Sequence, residues 1–181
     1  VISLDPSGKL RWAKSFGGTS SDYGYGIAAD SSGNSYITGR FYNTMTVGGT
    51  TLSSNGSGDI FLVSYNSAGT QRFAKGGFGG SSYDYGYGVA AGPSGNAYVT
   101  GYFYKTATFG TLSLSSISKY GDMFVAGFNP SGALTWVRHH GSKGNYVYGR
   151  AIATGGGGVF VTGNFSPPSA NFGGGDIKGT G

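Results

Sequence analysis

The residues Tyr36-Ile37-Thr38-Gly39, with Phe41 two places on, return as Tyr98-Val99-Thr100-Gly101 with Phe103. They return again as Phe160-Val161-Thr162-Gly163 with Phe165, and the spacing is 62 residues both times. A recurrence at fixed period means one supersecondary unit copied three times. A copied unit with apolar surface on both sides cannot bury it alone, so neighbouring copies must stack.

Composition favours strands within that unit. Of 181 residues 38 are Gly, none is Glu and none is Cys, while Tyr and Phe number 14 and 12. Missing Glu, scarce Leu and abundant Gly, Ser, Thr and Tyr argue against helix and for short strands joined by turns. A Gly/Tyr/Ser-rich chain can also be disordered. Runs of strand length such as Ile60-Phe61-Leu62-Val63 and Met123-Phe124-Val125-Ala126 argue against that here. The net charge of +5 comes from a thinly charged chain with no run of Lys or Arg, so no nucleic-acid stripe is expected. The absence of Cys removes disulfides and thiolate metal sites. No apolar run approaches the roughly 20 residues of a membrane span. No signal peptide is apparent, and the start at Val1 is expected of a processed product or a piece of a larger protein.

In chain order, each copy reads as four short antiparallel strands. Tight turns open with Asp or Asn and close with Gly, as in Asp5-Pro6-Ser7-Gly8, Asn66-Ser67-Ala68-Gly69 and Asn129-Pro130-Ser131-Gly132. The strands that follow them centre on Trp12, Phe73 and Trp136, with Arg11, Lys14, Arg72, Lys75 and Arg138 beside them. The aromatic is expected in the core and the cations outside. Next come Gly-rich loops and small-residue segments, Asp22 to Ala29, Asp84 to Ala91 and a degenerate Asn145 to Ile152, which suit innermost strands where sheets crowd together. A long, small-residue connection runs from each Thr-Gly motif to the next copy.

Four-stranded units in tandem are what propeller blades look like in sequence. Over essentially the whole chain the residues also resemble the bacterial SBBP beta-propeller repeat family. The matching stretches are Gly58-Asp59-Ile60-Phe61, Arg11-Trp12-Ala13-Lys14 with Phe16-Gly17-Gly18, Gly26 through Asn34, and Tyr36-Ile37-Thr38-Gly39. The third copy departs, with Gly155 to Gly158 in place of the Asp-x-x-Gly-Asn turn and His139-His140 before its loop. The resemblance implies an all-β propeller of four-stranded antiparallel blades, in an extracellular or cell-surface bacterial protein that is a scaffold more than a chemistry. Residues 1–181 form a single propeller region, with repeats at roughly 1–61, 62–124 and 125–181. The terminal blade is expected to be split between the chain ends. Propellers have about four to eight blades, so three copies leave three arrangements: a window on a longer ring, two chains closing a six-bladed ring, or a filament in which each subunit completes its neighbour's blade.

In each blade the two tight turns fall at one end and the longer connections at the other. The longer-loop end collects Tyr23, Tyr25, Phe41, Tyr42, Tyr85, Tyr87, Tyr102, Tyr104, Tyr146 and Tyr148. Rings with a polar tip suit stacking on sugars or packing against protein, and half of them are expected to be ordinary blade packing. Partners are therefore other copies, other blades, surface glycans or proteins. Asp22, Asp59, Asp84 and Asp122 recur from copy to copy and are expected to accept backbone N–H groups; calcium is the sharper alternative. Among residues that break the repeat, His139, His140, Arg150 and Pro167-Pro168, adjacent histidines in a strand point to opposite faces, which disfavours a shared metal. No metal or cofactor is expected. Without a nucleophile elbow or phosphate loop no enzyme is expected either. Asn55-Gly56-Ser57 and Asn164-Phe165-Ser166 fit the N-glycosylation pattern, and both are expected in long loops.

Overall fold

A computed structural model describes residues 1–166 and 168–179. Pro167, expected to break the repeat, lies outside the described residues. Two four-stranded antiparallel sheets dominate. The first contains, in spatial order, β3 (Tyr23–Ala29), β4 (Ser35–Phe41), β7 (Asp59–Tyr65) and β8 (Gln71–Phe78). The second repeats the order with β9 (Tyr85–Ala91), β10 (Ala97–Phe103), β13 (Asp122–Phe128) and β14 (Leu134–His140). Two two-stranded sheets flank them: β1 (Ile2–Leu4) with β2 (Leu10–Ala13), and β15 (Val147–Gly155) with β16 (Gly158–Phe165). These two end sheets do not pair with each other within the chain.

The apolar runs have a simple cause. Along Ile60-Phe61-Leu62-Val63, alternate side chains enter different cores. Ile60 and Leu62 pack with Val89, Val99 and Phe124 of the second sheet, while Phe61 and Val63 pack with Phe41, Trp12 and Phe16 on the other side. A third core joins Met123 and Val125 to Ile152, Val161 and Phe165. A sheet buried on both faces needs no polar alternation. The first strands β3, β9 and β15 lie against one another in turn, as their small residues led one to expect.

The long connections hold structure that the sequence reading missed. Each carries a hairpin: β5 (Thr44–Val47) with β6 (Thr50–Ser53), β11 (Thr106–Phe109) with β12 (Leu112–Ser115), and β17 (Ser169–Asn171) with β18 (Asp176–Lys178). These hairpins tie one sheet to the strand before it, through bridges Gly17 to Thr46, Gly79 to Thr108 and Gly141 to Asn171. Phe109 is fully buried between Phe78, whose ring is 5.8 Å away and nearly parallel, and Phe124 at 5.0 Å.

The aromatic of the turn-following strand behaves as expected at Phe73, which is buried. Trp12 and Trp136 are half-buried, and Trp12 Nε1 donates to Ser67 O of the neighbouring turn at 3.1 Å. Arg11, Lys14, Lys75 and Arg138 are exposed. Arg72 corrects the expectation of outward cations. It reaches inward to Tyr36 Oη and Ser64 Oγ, both at 3.0 Å, because two buried hydroxyls there need a donor.

Candidate functional site: a tyrosine and arginine row at the longer-loop end

The Thr-Gly motif builds this site. Its threonine donates to the neighbouring strand, Thr38 Oγ1 to Phe61 O and Thr100 Oγ1 to Phe124 O, both 2.8 Å. Its glycine sits under the carbonyl of Tyr23, Tyr85 or Tyr148, where a Cβ on Gly39, Gly101 or Gly163 would collide with backbone. Opposite that glycine the first strand bulges. The register steps from Gly24 to Gly26, from Gly86 to Gly88 and from Gly149 to Ala151, which leaves Tyr25, Tyr87 and Arg150 as the extra residues. A bulge re-aims a side chain that a regular ladder would send elsewhere. Here it turns three equivalent side chains toward one another: the Tyr25 and Tyr87 rings lie 5.0 Å apart, and the Arg150 guanidinium stands 4.8 Å from the Tyr87 ring.

Around this trio the tyrosines form a continuous row. Tyr23 stacks on Tyr25, Tyr85 on Tyr87, Tyr102 on Tyr85 and Tyr148 on Tyr102, with centroid distances of 5.9, 5.6, 4.7 and 3.8 Å. Tyr146 extends the row from Tyr148 at 4.8 Å. Tyr104 joins from the side, its hydroxyl 3.1 Å from that of Tyr148, which itself donates to Tyr120 O. Tyr42 meets Tyr83 edge to face. The structure therefore brings the sequence-nominated tyrosines together, with Tyr102 buried and Tyr23 and Tyr25 exposed. Phe41 is the exception, since it is fully buried in the core between the first half-sheet and the first full sheet. Burial raises the phenol pKa of Tyr25, Tyr42, Tyr102 and Tyr148, so these hydroxyls stay protonated donors. Because the rings face one another, the row presents edges and hydroxyls more than open faces.

Arg40 is the residue the sequence reading passed over. It stands where the later copies have Tyr102 and Asn164, and it is only 9% exposed. Its guanidinium lies 4.3 Å from the Tyr85 ring and 4.9 Å from Tyr42, with Tyr23 and Tyr83 at 5.3 and 5.6 Å. Its Nε is buried without a hydrogen-bond partner. The signal that finds it is a break in the copying: an arginine at a position the next repeat gives to tyrosine.

The repeated acids beside the row are taken up by backbone N–H groups. Asp22 accepts from Gly18 N and Tyr42 N, and Asp84 from Gly80 N and Tyr104 N. Asp59 accepts from Asn55 N and Asp122 from Ile117 N. They are backbone acceptors, as the sequence reading held. Asp59 and Asp84 flank Gly79, whose missing Cβ leaves room for both carboxylates. Burial, opposed by its two backbone bonds and reinforced by Asp59, pushes the Asp84 pKa up to about 7. In the next copy His139 Nδ1 stands 3.1 Å from Asp122 Oδ2. His140 turns instead to Phe172, and burial and the neighbouring His139 lower its pKa. Among the described residues no group of three or more His, Cys, Asp or Glu is placed to hold a metal.

Of the two glycosylation candidates, Asn55 is exposed after β6, with Nδ2 donating to Gly77 O at 2.7 Å. Asn164 corrects its expected loop placement: it lies within β16, and its Oδ1 accepts from Arg150 Nε at 2.7 Å. The strand reaches past the Thr-Gly motif because the partner strand β15 continues to pair there. At the opposite, tight-turn end a cleft of about 710 Å³ opens among Asp30, Asn34, Arg72, Tyr98 and Thr154. The Asp30 carboxylate in it is committed to Ser32 N, Asn34 and Tyr36 Oη. No helix of the described residues is long and apolar enough to cross a membrane.

Among curated proteins none matches the chain. The model of the SBBP beta-propeller repeat matches residues 11–40, the span from β2 to the end of the Thr-Gly motif and Arg40. Within this all-β chain, residues 11–40 are thus similar to the SBBP beta-propeller repeat.

Proposed function

We propose that this chain is a non-catalytic propeller scaffold of a secreted or cell-surface protein, used for adhesion or protein–protein assembly. One comparison carries the reading. Phe160 in β16 is 62% exposed, while Tyr36, its counterpart in a full sheet, is 0% exposed. At the other side Ile27 of β3 is 61% exposed and its counterpart Val89 is 6%. These equivalent places in the repeat are thus buried where a neighbouring full sheet stands and open where none does. Contiguous apolar surface with unpaired strands calls for a partner. The partner of matching chemistry is another blade, from a longer chain or from a second copy.

In a closed ring or a filament the free edge of β16 would receive a strand such as β1, in the register that β4 and β7 use, Tyr36 opposite Ser64. By the same alignment Phe160 would face Ser3. Native mass measurement and negative-stain imaging of the protein as its source makes it test this. Rings, filaments or a species well above 18.4 kDa are expected; a monodisperse folded particle of that mass overturns the assembly reading. A second reading, glycan binding by the longer-loop end, is favoured by the gathered tyrosines and their two arginines.

A further inference from the structure

Arg40 and Arg150 interrupt the tyrosine pattern at two non-equivalent positions. Arg40 takes the place of Tyr102, and Arg150 takes the place of Tyr25 and Tyr87 at the bulge. The two guanidiniums stand at either side of a pair of stacked rings, Arg40 on Tyr85 and Arg150 within 5.8 Å of Tyr102. No carboxylate pairs with either: the one ion pair among the described residues is His139 with Asp122. Asp22 and Asp84, the nearby acids in sequence, are held by backbone N–H groups.

A buried cation is costly unless an opposite charge or hydrogen bonds compensate it. Ring quadrupoles offset part of that cost for Arg40. They leave a net positive charge and a fringe of protonated phenol hydroxyls. Such a surface attracts oxyanions, and guanidinium recognises carboxylate or sulfate in a bidentate fork. Arg150 is exposed and, with its Nε on Asn164 Oδ1, keeps its terminal amino groups for such an anion, while the buried Arg40 adds positive charge at the other side. With the hydroxyl donors between them they match a polymer with acidic groups at intervals and hydroxyls between. Bases need open ring faces and a continuous basic groove. Here the rings cover one another and the cations are only two.

We propose that the row between Arg40 and Arg150 binds an anionic polysaccharide through its carboxylate or sulfate groups. The proposal rests on the reading of the longer-loop end as a contact face, and it names the ligand class for that face.

Calorimetry of the whole protein with heparin, alginate, neutral dextran, poly-glutamate and single-stranded poly-U tests it. Saturable binding of heparin or alginate is expected, and which of the two binds more tightly separates sulfate from carboxylate as the recognised group. Neutral dextran is expected not to bind. Arg150→Gln, at an exposed position, should weaken binding by about tenfold or more, the scale for losing one charged bidentate contact. Arg150→Lys should recover only part of it. Arg40→Gln should weaken binding similarly, with circular dichroism checking that it folds; if it does not, Tyr25→Ala and Arg150→Gln carry the test. Lys9→Gln, in the tight turn at the other end, should leave affinity unchanged. Equal loss with Lys9→Gln, or no binding of any polyanion, overturns the site. Tighter binding of poly-glutamate or poly-U that is still lost in Arg150→Gln overturns the ligand class while leaving the contact face standing. Binding of nothing in this panel by a row whose variants also leave native assembly unchanged removes the contact face itself.

Discussion

At the scale of single residues, the glycine of the Thr-Gly motif is the most constrained position. A methyl group at Gly101 would strike the Tyr85 carbonyl and then the Phe124 ring, neither of which has room to retreat. Gly101→Ala should cost about 3 kcal/mol, the upper range for overpacking, read as a lowered urea midpoint. Loss of the Tyr85 and Tyr102 stack, seen in near-ultraviolet dichroism, should accompany it. Asp84 gives a second prediction. Its pKa rises from the usual 3.8 to about 7 on folding, so the folded protein holds a proton that the unfolded chain releases. Stability must then fall as pH rises between those values. Asp59, also raised by burial, acts in the same direction; His140, lowered, opposes them only below its usual 6.5, and Asp5 and Asp30, both lowered, lose their contribution only as pH falls toward the acid range. The melting temperature should be higher at pH 5 than at pH 8, and Asp84→Asn should flatten most of that slope. A profile that is flat, or rises toward pH 8, contradicts the buried-carboxylate account. The recurring aspartates were legible in the sequence as backbone acceptors because an Asp that returns copy after copy at the end of a loop is most simply a turn acceptor. That two of them meet beside Gly79 was not legible, since they lie 25 residues apart.

At the scale of elements, strands and tight turns followed from periodicity and turn chemistry, and the structure has them where the repeat put them. The inserted hairpins did not follow. Met45, Val47, Ala107 and Phe109 are isolated apolar residues among Thr, Gly and Ser, so the local pattern reads as loop. Only contact with an adjoining sheet turns that weak alternation into buried structure. Phe109→Ala should therefore cost about 3–5 kcal/mol, as deleting a buried Phe does, in an equilibrium unfolding measurement. A loss below about 1 kcal/mol would mean the hairpin contributes little to joining the sheets. The bulge on each first strand was hidden for a similar reason. Its sequence, Gly-Tyr-Gly in the first two copies and Gly149-Arg150-Ala151 in the third, is compatible with a regular strand, and only the carbonyl pressed over the motif glycine shows where the ladder slips.

At the scale of the whole molecule, the open flanks decide behaviour. Phe160→Lys places a charge on an exposed strand without touching the two full sheets. Native mass should fall toward 18.4 kDa if β16 receives a strand from another copy, with the melting transition of the full sheets retained. An unchanged assembly would show that pairing runs elsewhere. The sequence alone determined the strand period, the turn positions, the two-faced apolar runs and the end at which tyrosines gather. Each of these depends on residue type at fixed spacing, which local physics reads directly. Tertiary structure alone decided which side chains meet: the Arg40 cage, the bulge-aimed trio of Tyr25, Tyr87 and Arg150, and the carboxylates around Gly79. Those contacts join residues tens of positions apart, and their geometry is set by how one sheet leans on the next.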